Sequence, residues 1–264
     1  MKNRKALFFD IDGTLLTNDG KKFPKSAKEA LRKAREKGHL VLINTGRSRC
    51  FLQDVEDKVE VDGFLCSCGT YIELEGKLAF HYILNAAKRL EIQKLIVEHD
   101  VDGTLEGTFS CFAQNNISRM KQVEYVKDMV ARSGRLQYCD YTKEPLYFDK
   151  FCVLSDEKSD IRGFLTKIQP DLDYIDRGHG LFECVPAGFT KATAMEYVLR
   201  YYGIPREESY AFGDSTNDLA MLQYAGHAVV MGKHDKELEP YAAMITKNVE
   251  DDGIAYALEK LDII

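Results

Sequence analysis

ALFFDIDGTLL, residues 6–16, is the stretch that decides the fold. Ala6-Leu7-Phe8-Phe9 is an unbroken apolar run that stops on Asp10, and a second acid, Asp12, follows two residues later. A strand buried on both faces of a parallel sheet reads this way, because neither face alternates toward water. Carboxylates at the end of such a strand need compensation, since apolar surroundings penalise their charge. The stretch is therefore both a piece of core and the approach to a polar site.

Outward from it, the same rhythm recurs. Ser26-Ala-Lys-Glu29 has the pattern of a capping box, with Ala27, Ala30, Leu31 and Ala34 at helical spacing and Gly38 as the stop. Leu40-Val-Leu-Ile43 is a second buried strand and leads into Asn44-Thr45-Gly46-Arg47. A second helical stretch ends near Val59, and Gly63-Phe-Leu-Cys66 is a third strand. This alternation predicts an α/β fold around a Rossmann-like parallel sheet. The middle of the chain differs. A hairpin over Tyr71–Phe80 turns at Glu75-Gly76, helices follow around 86–97 and 117–132, and strands lie near 147–154 and 174–185. That mixture predicts an inserted α+β domain. After Pro186 the first rhythm returns: Thr190 caps a helix with Met195, Val198, Leu199 and Tyr202 on one face, and strands follow at Ser209–Phe212 and His227–Met231. The expected organisation is a discontinuous core over 1–81 and 186–264, with the insert over 82–185.

Composition narrows the class. Hydrophobic residues at 45% and charged residues at 30% describe a globular chain, and a net charge of −6 without a basic stripe argues against nucleic-acid binding. No apolar run approaches a membrane span, and the basic start lacks the apolar stretch of a signal peptide, so a cytoplasmic protein is expected. The 7 cysteines have no regular spacing, and Cys66-Ser-Cys68 has no matching pair, so they read as buried free thiols.

Asp10 and Asp12 end the first strand, Thr45 and Gly46 the second; Lys191 opens a helix, and Asp214 and Asp218 follow the strand ending at Phe212. Ligands of open α/β sheets bind at the carboxyl ends of the strands, so these groups are expected to converge. Clustered carboxylates call for a cation, and an all-oxygen set suits Mg²⁺. Lys191 and a helix N-terminus suit an anion, most naturally a phosphoryl group.

These stretches, in this order, resemble the haloacid dehalogenase superfamily of phosphotransferases, and within it the Cof-type branch, subclass IIB. The resemblance implies that the insert is a type C2 (C2B) cap that selects the leaving group. It implies Asp10 as the nucleophile that forms an aspartyl-phosphate, and Asp12 as the acid that protonates the leaving oxygen and then activates water. Mg²⁺ would be held by Asp10, the Asp12 carbonyl and Asp214, with Asp218 supporting the metal shell or orienting Lys191. Thr45, Gly46, Lys191 and Asn217 would hold phosphoryl oxygens, and Arg47 would contact substrate. Two positions depart from the branch's pattern: Ala192 stands where glycine is common, and Cys68-Gly69 where Asn-Gly is common. The expected partner is a small phosphorylated metabolite, a sugar phosphate or a cofactor or nucleotide precursor. The alternatives are a phosphomutase or phosphotransferase of the same chemistry, and a non-catalytic phosphometabolite-binding protein. Oligomeric state is not legible.

A second Asp-x-Asp-Gly-Thr-Leu occurs at Asp100–Leu105, in EHDVDGTLEGT, residues 98–108. Val97-Glu98-His99 before it continues a helical stretch, and no crossover helix follows, so it lacks the strand–helix context of the first copy. Asp102-Gly103 is expected to form a turn.

Overall fold

In a computed structural model of the chain, which describes residues 4–17, 20 and 22–264, the apolar run becomes β1 (Ala6–Phe9), with all four residues buried. Then come α1 (Lys25–Glu36), β2 (Leu40–Asn44), a single helical turn α2 (Gln53–Glu56), β3 (Gly63–Cys66), β4 (Tyr71–Leu74) and β5 (Lys77–His81). The middle of the chain supplies α3 (Ala86–Glu98), β6 (Asp102–Glu106), β7 (Cys111–Gln114), α4 (Lys121–Arg132), β8 (Leu136–Cys139), β9 (Lys150–Leu154), α5 (Ile161–Ile168), β10 (Leu172–Asp176) and β11 (Leu181–Pro186). The last third supplies α6 (Lys191–Tyr202), β12 (Ser209–Gly213), α7 (Leu219–Tyr224), β13 (His227–Val230), β14 (Met244–Ile245) and α8 (Gly253–Lys260). No helix among the described residues is long and apolar enough to cross a membrane.

The elements form two compact units. One takes in the chain through Arg47, Gln53–His81 and Phe189–Ile264; the other takes in Ser48–Leu52 and Tyr82–Gly188. The first holds an eight-stranded sheet in the order β14-β13-β12-β1-β2-β3-β4-β5. Pairings from β14 to β3 are parallel, and the β3–β4–β5 edge is antiparallel. In β1, Phe9 lies opposite Ile43 on one side and Phe212 on the other. The chain leaves β1 toward β2 and returns much later as β12 on the opposite side, so β1 marks the switch point where open α/β sheets place their ligands. Phe8, Leu42 and Ala211 pack under Met195, Val198 and Leu199 of α6 and hold that helix on the sheet.

The second unit holds a six-stranded sheet, β10-β11-β9-β6-β7-β8, antiparallel except between β7 and β8. Strand alternation sends Leu105, Phe151, Val153 and Cys184 into a core with Ile92, Ile96, Phe164 and Ile168. It leaves Glu106, Lys150 and Glu183 on the other face, also buried, with Lys150 Nζ 2.5 Å from Glu183 Oε1.

Three sequence expectations are corrected. The capping box at Ser26 does not form: Pro24 is the N-cap, and the Ser26 hydroxyl donates to Asp252 Oδ1 at 2.5 Å. Pro24 has its φ at −59° and starts the helix without a side-chain cap. The helical stretch ending near Val59 shrinks to a 3-10 turn, Arg49–Phe51, and the single turn α2. Asp102-Gly103 is not a turn but the start of β6, paired with Leu154 and Val153. A Cβ on Gly103 would lie 2.0 Å from the Cys152 carbonyl oxygen, so this glycine serves a close strand approach. The turn lies earlier, at Asp100, whose φ is +54°.

Candidate active site

The site assembles at the carboxyl ends of β1 and β12. The Asp10 N–H donates to the Phe212 carbonyl at 3.0 Å, which keeps Asp10 in register with the sheet. The chain then folds back, with the N–H groups of Leu15 and Leu16 on the Ile11 carbonyl, and the Thr14 hydroxyl donates to Asp214 Oδ1 at 3.3 Å. Beyond β12, Asp218 curls under the strand end. A Cβ on Gly213 would lie 2.6 Å from the Asp218 carboxylate, so the bare backbone there makes the approach possible. Asp218 Oδ2 accepts the N–H groups of Asp214 (2.9 Å) and Ser215 (3.2 Å).

Lys191 joins the two strand ends. Thr190 caps α6 through a reciprocal pair with Thr193, fixing the helix start. From it the Lys191 ammonium, 1% exposed, donates to Asp10 Oδ1 at 2.6 Å and to Asp218 Oδ1 at 2.5 Å. Asp10, Asp214 and Asp218 each offer a carboxylate oxygen, all within 4.8 Å of one another. Among the described residues no other group of histidine, cysteine or acidic side chains converges this way, and Cys66 and Cys68 belong to none.

The other expected site residues lie around this centre. Thr45, at the end of β2, is buried; its N–H donates to the Leu65 carbonyl and its hydroxyl accepts the Arg47 N–H at 3.1 Å. Gly46 is half-buried between them. Arg47 grips Asp12 bidentately, Nε to Oδ2 at 2.8 Å and Nη2 to Oδ1 at 2.5 Å, so the exposed Asp12 carboxylate is outside the Asp10–Asp214–Asp218 cluster. Asn217 is half-buried and accepts the Ser215 hydroxyl at 2.6 Å. Cys68 and Gly69 form a left-handed turn, φ +54° and +99°, against the start of α6. Asp100 lies in the second unit, paired with Arg119 at 2.6 Å.

Charge in the centre is unbalanced. Burial pushes the Asp10 carboxyl up to about 7; the Lys191 ammonium opposes this and the Asp218 carboxylate adds to it. Asp214 is pushed to about 8, by burial first and then by Asp10 and Asp218. Burial works against the Lys191 charge, yet attraction to Asp10 and Asp218 outweighs it and holds the ammonium above its ordinary value. The directions are consistent: one ammonium has two anionic partners, whereas each acid faces two others. With all three acids ionised, the centre would carry surplus negative charge.

A sequence profile of the haloacid dehalogenase-like hydrolases matches residues 7–258. The chain belongs to this family. Its relatives include the Bacillus subtilis protein YkrA, provisionally named a phosphatase, 30% identical with 98% of each chain covered. Bacillus subtilis YwtE, named a 5-amino-6-(5-phospho-D-ribitylamino)uracil phosphatase, is 25% identical over 97% of this chain and 98% of its own. Among solved structures, a haloalkanoate-superfamily phosphatase from Bacteroides thetaiotaomicron matches with a TM-score of 0.84 at 27% identity, covering 99% of this chain and 96% of that one. A subclass IIB sugar phosphatase has the same fold, with a TM-score of 0.83 at 23% identity over 98% and 100% of the two chains. With relatives of this kind over its whole length, this haloacid dehalogenase-like chain is a phosphatase.

Sequence reasoning passed over Thr14 and Ser215, which touch this family member's acidic centre through Asp214 and Asp218. Thr14 was legible as the hydroxyl within Asp12-Gly-Thr14; Ser215 was legible as a cap three residues before an acid.

Proposed function

We propose that the chain is a Mg²⁺-dependent phosphatase of a small organic phosphate that works through an aspartyl-phosphate on Asp10. The observation that carries this is the buried ammonium of Lys191 between Asp10 and Asp218, which with Asp214 make a cluster of three carboxylates that one ammonium only partly balances. The donor set fits the ion: all its atoms are oxygens, and the raised acids Asp10 and Asp214 mark a place where a divalent cation relieves repulsion. Asp10, the Asp12 carbonyl and Asp214 would hold it, with Asp218 oriented behind them. When bound, it would offset the negative charge of nucleophile and phosphate as they approach.

The chain's residues supply the rest. The free Asp10 oxygen attacks phosphorus in line, and the bond from phosphorus to the leaving oxygen breaks. Asp12 gives that oxygen a proton, then takes one from the water that hydrolyses the acyl phosphate and restores Asp10. Both Asp12 oxygens are held by Arg47 in the structure. Transfer of the guanidinium to a phosphate oxygen frees Asp12 as substrate arrives. Thr45, the Gly46 amide, Lys191 and Asn217 are assigned to the phosphoryl oxygens. The α+β unit is assigned the selection of the leaving group, the role of a type C2 cap. A sugar phosphate or a phosphorylated cofactor or nucleotide precursor is the proposed substrate class, a choice supported by relatives named for such compounds.

The test is hydrolysis of an aryl phosphate with and without Mg²⁺ by wild type, Asp10→Asn and Asp100→Asn. Loss by at least about a thousandfold in Asp10→Asn alone is expected. Loss in Asp100→Asn, with Asp10→Asn active, refutes the assignment.

A further inference from the structure

β2 is apolar until its last residue, where Leu40-Val-Leu-Ile43 gives way to Asn44. Asn44 is 0% exposed. Its Nδ2 donates to the Lys191 carbonyl oxygen at 2.9 Å and reaches Met221 Sδ at 3.6 Å, while Oδ1 has no hydrogen-bond partner. A buried amide with an idle acceptor costs stability that an apolar residue of the same shape does not. Nor does the Lys191 carbonyl depend on it. Lys191 is the first residue of α6, and the helical pattern directs the Met195 N–H to that same oxygen. On the Lys191 side the bond satisfies no group that would otherwise be orphaned. What it does is tie the end of β2 to the first turn of the lysine's helix.

A second contact presses on the same turn. A Cβ on Gly69 would lie 2.7 Å from the Thr190 carbonyl oxygen and 3.1 Å from the Ala194 Cβ, so the turn after β3 sits directly on the start of α6. The Lys191 side chain is almost wholly enclosed. Its stem therefore cannot absorb a backbone shift by changing rotamer, and any displacement of the first turn reaches the ammonium between Asp10 and Asp218.

We infer that Asn44 is a positioning residue, whose amide clamps the Lys191 backbone to β2 and sets where the ammonium meets Asp10 and the phosphoryl group. The inference rests on the function proposed above.

Asn44→Leu keeps the shape and removes both polar atoms. The expected result is a thermal midpoint equal to or above that of wild type, with kcat for Mg²⁺-dependent aryl phosphate hydrolysis down by about ten- to a hundredfold and KM changed far less. Inorganic phosphate, used as a product inhibitor, is expected to bind more weakly. Asn44→Ala, which opens a small cavity, keeps the test readable if leucine does not fold: its kcat should fall as far at temperatures well below its own midpoint. An unchanged kcat in either folded variant, while Lys191→Met is inactive, overturns the role of Asn44 and leaves the proposed function standing. So does a loss of activity that only follows the loss of folded protein. A wild type without Mg²⁺-dependent hydrolysis overturns the proposed function itself, and this role with it.

Discussion

Replacing Lys191 with methionine keeps an unbranched side chain, one atom shorter, and removes its charge. In the native centre the ammonium lies 2.6 Å from Asp10 and 2.5 Å from Asp218. At an effective dielectric of about 20, each contact has a Coulomb energy on the order of 6 kcal/mol before desolvation. Desolvation offsets much of this, and breaking a buried pair by deleting one partner nets roughly 3–5 kcal/mol. For a chain of this size that lowers the melting temperature by on the order of 10 °C. The loss should depend on pH. Asp10 and Asp214 titrate near 7 and 8, above the ordinary carboxyl range, so the folded state binds their protons more tightly than the unfolded chain. Their favourable contribution is complete below about pH 4 and disappears as pH rises through 7 and 8. Without Lys191 these acids hold protons more tightly still and the penalty on ionising them grows. Calorimetry of metal-free protein should show a deficit in Lys191→Met that is larger at pH 8.5 than at pH 5.5, and partly reversed by Mg²⁺ at the higher pH. An equal deficit at both pH values, unmoved by Mg²⁺, would refute the electrostatic account and leave packing as the cause.

In the proposed site Mg²⁺ would displace protons from Asp10 and Asp214, so its apparent affinity in titration calorimetry should rise between pH 6 and pH 8, by roughly one to three powers of ten, and level off above 8. Asp12→Ala should lower kcat by about 10²–10⁴-fold for alkyl phosphates and less for an aryl phosphate, whose leaving oxygen needs little protonation; equal losses on both refute the acid role. Gly103→Ala should destabilise the second unit, because its new methyl meets the Cys152 carbonyl at 2.0 Å. The check is a separate or broadened calorimetric transition, and an unshifted melt refutes the packing argument.

Much of the fold was open to reading because the parallel strands are continuous apolar runs, and β1, β2 and β12 are buried along their whole length. Asp10 and Asp214 were readable because each follows such a run, and Lys191 because it opens a helix behind a capping threonine. Misreadings arose where one residue type serves two physical ends. Asp102-Gly103 has turn chemistry, yet the glycine answers to a carbonyl on a strand far away in sequence. Ser26 and Glu29 have the spacing of a capping box, but the hydroxyl is engaged by Asp252 and the acid by Arg32. The Arg47–Asp12 clamp and the Asn44–Lys191 tether join residues distant in sequence. Spacing along the chain carries no trace of either.

The placement of β1 between β2 and β12 also has a consequence during synthesis. Asp10 and Thr45 leave the ribosome early, but β1's second neighbour and Lys191, Asp214 and Asp218 come only after the entire second unit. At bacterial-like elongation rates that is a delay of roughly ten to thirty seconds. The second unit draws all six of its strands from one continuous stretch and has short-range pairings with which to fold meanwhile. One flank of β1, apolar and unpaired, has to wait. The nascent chain is thus most prone to misassociate at the strand that leads into Asp10, and factors that shield that edge during translation should raise the yield of active protein.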